Sequence, residues 1–179
     1  MTVQTRPLRE DDLSDLLALN NAAVPAVNAL DEPALSALIA ASHGSLAVVD
    51  CEHPEQLAGF VICLLPGREY ASENYRWFSA RSTSFLYVDR IVIAEGSRGG
   101  GLGQVLYASV FATARAAGAA EVFCEVNLEP PNPGSLVFHE RLGFAEVGRQ
   151  STKSGSVVVA LLARDVWAPR SKPALGLQA

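Results

Sequence analysis

The segment SRGGGLGQVLY, residues 97–107, sets Arg98 ahead of Gly99, Gly100, Gly101 and Gly103. Glycine loses more conformational freedom on folding than any other residue, so such a cluster needs a reason. It follows the apolar run FLYVDRIVI and precedes QVLYASVFATARAAG, a stretch with helical spacing. A strand, a glycine-rich turn and a helix start together bind phosphate. The unpaired first-turn N–H groups point outward, and the helix dipole favours negative charge there. Arg98 adds a permanent cation with a planar fork suited to phosphate oxygens. A Walker A loop would need Gly-Lys-Ser/Thr, but Gln104 and Val105 follow Gly103. A dinucleotide fingerprint would need a third small residue where Leu106 stands, with Glu121 or Glu125 as its ribose-binding acid.

The elements around this loop follow from spacing. TVQTRPL reads as a first strand. REDDLSDLLALNNAAV places Leu13, Leu16, Leu17 and Leu19 at near-helical spacing behind acidic residues that suit a helix start. DEPALSALIAAS repeats the pattern, with Pro33 tolerable in a first turn. SLAVVD and QLAGFVICLL read as two strands of a hairpin. PGREYASENYRWFSARSTS, polar but rich in aromatics, reads as a long loop. Its Tyr70, Tyr75, Trp77 and Phe78 either fold back on the core or form a lid over a ligand. After the glycine loop, Leu106, Val110, Phe111 and Ala114 form one apolar side of a helix that ends near Gly118. EVFCEV is a strand. Asn132, Pro133 and Gly143 mark the N-cap, first residue and exit of another helix. AEVGRQ and SVVVALLA supply the last strands, and a tail from Ala168 has no pattern and is expected to fray. Strands in a run, then strands alternating with helices, predict an α+β fold with a mixed sheet.

The chain has 179 residues, 49% of them hydrophobic and 18% charged, which suits one globular domain. A net charge of −5 disfavours a nucleic-acid binder. No apolar stretch approaches the roughly 20 residues that span a bilayer, so no membrane role is expected. The opening MTVQTRPLREDD lacks the apolar core of a secretory signal, which predicts a cytoplasmic protein. Cys51, Cys63 and Cys124 are widely spaced, with no CxxC pair, so neither a disulfide framework nor a metal site is expected.

Arg98, Gly101 and Gly103 fit the pattern Arg-x-x-Gly-x-Gly, and here the sequence resembles the GNAT superfamily of acyl-CoA-dependent N-acyltransferases. A second motif fits as well: Asn132, Ser135, His139, Gly143 and Phe144 match Asn-x-x-Ala/Ser-x-x-x-Tyr-x-x-x-Gly-Phe, except that His139 replaces the tyrosine. TRPLREDD resembles a usual family opening. FLYVDRIVI and CEVNLEPPNPGSLVFHERLGF resemble a bacterial branch of predicted acetyltransferases.

The resemblance implies one GNAT domain over residues 1–167, built on a central twisted, mostly antiparallel sheet with helices on both faces. It implies acetyl-CoA as co-substrate, held by the backbone of Ile91, Val92 and Ile93 along the pantetheine arm. Arg98, Gly99, Gly101, Leu102, Gly103 and Gln104 would hold the pyrophosphate. Asn132 and Ser135 would touch pantetheine, on one helix stripe with His139. His139 stands at the position of the acid, with Tyr107 and Tyr87 as substitutes. Asp89 is the first candidate base: period two puts Tyr87 and Asp89 on one face with Ile91 and Ile93. Glu125 is the alternative base, on one face with Phe123, where burial would raise its pKa. Asn20, Asn21, Tyr70, Asn74, Tyr75, Trp77, Phe78 and Tyr87 are candidates for the acceptor, an amine of a small molecule or a peptide. The competing reading is a CoA-binding sensor with little turnover. Family members often dimerise, which suggests a homodimer only by analogy.

Overall fold

The computed structural model describes residues 2–168. The expected fraying beyond Ala168 therefore falls outside the described residues. Seven strands form one sheet in the order β1-β2-β3-β4-β5-β7-β6. They are β1 (Val3–Pro7), β2 (Leu46–Asp50), β3 (Leu57–Leu64), β4 (Phe85–Ile93), β5 (Glu121–Glu129), β6 (Ala145–Thr152) and β7 (Val157–Asp165). Five of the six pairings are antiparallel, and β4 with β5 is the parallel one. Among the described residues there are five α-helices: α1 (Leu13–Ala22), α2 (Glu32–Ala41), α3 (Glu73–Arg81), α4 (Leu102–Ala116) and α5 (Pro133–Arg141).

The two faces of the sheet carry separate cores. On one, α4 lays Leu102, Leu106, Tyr107, Val110 and Ala114 over Val61, Leu86, Val88, Val122 and Cys124. On the other, Leu16, Leu35, Leu38 and Phe78 from α1, α2 and α3 cover Phe60, Ile62, Tyr87 and Phe123. The sheet is thus sandwiched, as the mixed α+β reading anticipated.

Two irregularities of β4 shape the centre of the sheet. The β4–β5 ladder consists of three pairs, Phe85↔Glu121, Leu86↔Val122 and Tyr87↔Phe123. Beyond Tyr87 the two strands diverge, while β5 continues on β7 as far as Glu129. The gap exposes the far edge of β4. In addition, β4 bulges against β3: Ile62 pairs with Arg90, but Cys63 pairs with Val88. Asp89 is the extra residue, and an extra residue reverses the alternation beyond it. Ile91 and Ile93 therefore pack with Leu86 and Val88, while Val92 joins Tyr87 on the opposite face. This corrects the period-two expectation that grouped Tyr87 and Asp89 with Ile91 and Ile93.

The supposed lid is also corrected. Glu73–Arg81 is a helix, with the Ser72 side chain accepting from Tyr75 N–H as its N-cap. Tyr75 and Phe78 are buried, and Phe78 stacks on Phe123 at 4.4 Å between centroids. Trp77 packs edge-on to Phe78 and fills the space beside Gly148. The i, i+3 pair Tyr75 and Phe78 gave the helix its buried side. Glu73, Arg76 and Arg81, exposed on its outer side, made the stretch look like loop.

Candidate active site

A cleft of about 1350 Å³ opens where β4 and β5 part, bounded by the α4 N-terminus, α5 and the α1–α2 connection. Pockets that hold one drug-sized ligand are roughly 300–1,000 Å³, so this cleft is larger than one such ligand needs.

The glycine loop forms one end. Gly99 and Gly101 have φ of 81° and 78°, left-handed values that a side chain would strain, and nothing lies within 4 Å of where their Cβ atoms would point. The loop thus presents bare backbone. Gln104 N–H turns back to the Gly101 carbonyl at 2.9 Å, which leaves the amides ahead of it for a ligand. Arg98 is exposed beside them, its Nε donating to the Ile93 carbonyl at 3.4 Å. Gly103 has a different reason: a Cβ there would stand 2.9 Å from the Phe138 ring, so it admits α5 against α4. Arg98, Gly99, Gly101, Leu102, Gly103, Gln104 and Ile91–Ile93 all border the cleft. An open, positively flanked helix start beside an unpaired strand edge fits a pyrophosphate with an extended arm.

Two carboxylates reach the middle of the cleft, and the bulge gives them unlike surroundings. Asp89 accepts from Tyr70 Oη at 2.5 Å on one oxygen and from Arg90 Nε at 2.8 Å on the other. Arg90 in turn donates to Asn20 Oδ1 at 2.7 Å, and Asn20 Nδ2 donates to the Asn28 carbonyl. A buried chain of polar groups thus links the β3–α3 segment to the α1–α2 connection. Glu125 lies on the Phe123 face of β5, as alternation predicts. Its Oε1 accepts from Tyr87 Oη at 2.9 Å, its Oε2 is buried without a hydrogen bond, and the nearby Asn74 side chain favours the ionised form. Burial first, then the charge of Asp89, pushes the Glu125 carboxyl up to about 8.

His139 is 3% exposed and committed on both sides of its ring. Nδ1 lies 2.7 Å from the Ser135 carbonyl, and Nε2 lies 2.7 Å from Tyr107 Oη. Burial lowers its pKa, so the ring is neutral near neutral pH. Ser135 Oγ is 3.3 Å from Nδ1, and Asn132 Oδ1 caps α5 by accepting from Ser135 N–H. The stripe Asn132–Ser135–His139 borders the cleft, though Asn132 spends its oxygen on the helix end.

The acceptor candidates divide. Tyr70 and Asn74 border the cleft. Tyr87 reaches it through Glu125. Tyr75 and Phe78 belong to the core, because the helix that carries them turns them inward, and half-buried Trp77 packs against it. Asn20 and Asn21 build the α1–α2 connection: Asn20 is fully buried, and Asn21 closes on both the N–H and carbonyl of Leu30. Sequence reasoning missed Arg90 and Asn127. Arg90 had a signal, a cation inside an apolar strand, since buried charges are paired. Asn127, whose Nδ2 donates to the Pro25 carbonyl at 2.9 Å, had none.

Among the described residues no His, Cys, Asp or Glu cluster could hold a metal ion, and no helix is long and apolar enough to cross a membrane.

Residues 13–144 match the family model described as the acetyltransferase (GNAT) family. No curated protein matches the chain by sequence. Among solved structures, Ard1 from Thermoplasma volcanium superposes with a TM-score of 0.76 at 14% identity, over 94% of this chain and 100% of that one. The ribosomal-protein-S18-alanine N-acetyltransferase from Escherichia coli gives 0.69 at 15% identity, over 96% and 99%. Arabidopsis thaliana NAA60 in complex with acetyl-CoA gives 0.71 at 19%, over 92% and 98%. At these identities the likeness is one of fold.

Proposed function

The chain belongs to the GNAT acetyltransferase family and is an acetyl-CoA-dependent N-acetyltransferase, and on that premise we propose that it acetylates a primary amine of a small molecule or peptide by direct transfer, with Glu125 as the base. The supporting observation is the buried Oε2 of Glu125, without a hydrogen bond, in a residue that borders a cleft of about 1350 Å³. An alkyl-ammonium must lose a proton before its nitrogen can attack. A carboxyl with a pKa of about 8 takes that proton near neutral pH and releases it readily.

Acetyl-CoA, when bound, supplies an acetyl group activated as a thioester. The chain's own residues do the rest. Arg98 and the bare amides around Gly101 bind phosphate charge. The edge of β4 from Ile91 to Ile93 orients an extended arm. Tyr87 holds Oε1 of Glu125 and leaves Oε2 as the oxygen without a hydrogen bond. Asp89 is tied to Tyr70 and Arg90, so its role moves from base to fixed charge that helps to raise Glu125.

A panel of polyamines, amino acids, aminoglycosides and N-terminal peptides, read by free-thiol release with acetyl-CoA, tests the reading. Turnover of at least one amine that Glu125→Gln abolishes is expected. Acetyl-CoA binding without turnover of any amine would favour the sensor reading instead.

A further inference from the structure

The motif position usually held by a tyrosine is His139, and the structure sets a tyrosine against it from another helix. Tyr107 sits on α4 with its hydroxyl 2.7 Å from His139 Nε2, and both residues border the cleft. The direction of that bond is determined. The Ser135 carbonyl can only accept, so Nδ1 carries the ring proton. In a neutral ring Nε2 is then a lone pair, and Tyr107 must donate to it. His139 has no N–H left for a ligand, so of the pair only the Tyr107 oxygen keeps a lone pair to offer one.

We propose that Tyr107 and His139 act as one proton shuttle that carries the amine's second proton from nitrogen to sulfur. The shuttle rests on the acetyl-transfer reading. As the N–C bond forms, the C–S bond breaks and its electron pair goes to sulfur. The surplus proton on nitrogen passes to Tyr107 Oη while the hydroxyl's own proton moves to Nε2. The reverse passage then delivers a proton from Tyr107 to sulfur. One N–H is lost, one S–H is gained, and both residues end as they began.

The surroundings suit this cycle. A fully buried Tyr107 has its pKa raised well above the ordinary phenol range, so it does not persist as a phenolate. His139, lowered by burial, holds the extra proton only briefly. The hydrogen bond from Nδ1–H to Ser135 stays in place in either charge state and keeps the ring oriented. Cys124, a thiol close to Tyr107, is pushed up by burial and stays protonated. Tyr107 touches the reacting atoms through its oxygen, and His139 acts through Tyr107.

Three readouts test the shuttle. In the unmodified protein, nitrogen NMR of His139 should show Nδ1 protonated and Nε2 accepting; an Nε2–H tautomer overturns the proposal without any variant. The thiol of bound CoA, followed by thiolate absorbance, should titrate higher in wild type than in Tyr107→Phe, because the hydroxyl proton is held by Nε2 and the oxygen can only accept from S–H, while desulfo-CoA binds both proteins alike. Equal titrations overturn it. Tyr107→Phe and His139→Gln should each lower kcat about 10²-fold, and the double variant no further, because the two residues form one path. Multiplying losses, or wild-type turnover by Tyr107→Phe, overturn it. Should Tyr107→Phe not fold, the tautomer decides. Failure of wild type to bind acetyl-CoA or release thiol with any amine would sink the acetyl-transfer reading instead.

Discussion

Tyr87 and Glu125 meet across the point where β4 and β5 part. The tyrosine belongs to the last paired rung, the glutamate lies two residues beyond it, and 2.9 Å separates their oxygens. The bond fixes one carboxylate oxygen, while the other is buried without a hydrogen bond in a residue that borders the cleft. Glu125→Gln should therefore lower kcat by about 10²–10⁴-fold and leave acetyl-CoA binding within a few-fold, as calorimetry and steady-state kinetics would show. Wild-type kcat in this variant would remove Glu125 as base.

Wild-type kcat should rise with pH through the Glu125 pKa of about 8, since only the ionised carboxylate accepts a proton. Asp89→Asn removes the neighbouring charge that helps to raise it and should move the limb to lower pH. A limb that stays in place would mean that the two carboxylates do not interact.

Stability should respond in the opposite sense. A carboxyl raised from 4.5 to about 8 on folding holds its proton longer in the native state than in the unfolded chain. Its contribution is fully present below pH 4.5 and declines as pH rises to about 8. Melting curves from pH 5 to 9 should thus fall less steeply for Glu125→Gln than for wild type. Parallel curves would show that the carboxyl titrates normally.

Arg90 and Asp89 have side chains only 3% and 4% exposed, so breaking the pair leaves a charge stranded. Arg90→Met should cost about 3–5 kcal/mol of stability and, by releasing Asn20, raise the acceptor KM more than that for acetyl-CoA. Denaturant titration gives the first quantity and initial rates the second. A change confined to acetyl-CoA would contradict the placement of this network on the acceptor side.

At the glycine loop, Arg98→Ala should weaken CoA binding about 10-fold or more, the loss of one charge-assisted hydrogen bond of about 1.5–3 kcal/mol. Gly101→Val adds a side chain at φ 78° and should weaken it further. Isothermal titration with CoA checks both, and unchanged affinity in the pair would reduce the loop to a joint.

Phe78→Ala, by contrast, should act as a core deletion. It removes a ring stacked on Phe123 and should cost about 3–5 kcal/mol without changing which amines are accepted. A change in acceptor preference at intact stability would restore the lid reading.

Much of this molecule follows from local sequence. Gly99 and Gly101 mark a turn of bare, left-handed backbone, because backbone conformation is written in nearby residues. Asn132, Pro133 and Gly143 mark α5 for the same reason. Alternation placed Glu125 on the Phe123 face, since nothing interrupts β5 before that point.

Where pattern misled, a single event elsewhere in space was responsible. One extra residue at Asp89 reverses the sides of β4, and no feature of FLYVDRIVI encodes a bulge that depends on pairing with β3. The aromatics from Tyr70 to Phe78 look alike in a row, yet only Tyr70 faces the cleft, because a helix hides Tyr75 and Phe78. Sequence determined which groups the protein has to work with. Which carboxylate is occupied and which is free was decided by tertiary structure, through Arg90 against Asp89 and Tyr87 against Glu125. So was the pairing of Tyr107 with His139, 32 positions apart. Protonation depends on burial and on the nearest partner, and both arise only when distant segments meet.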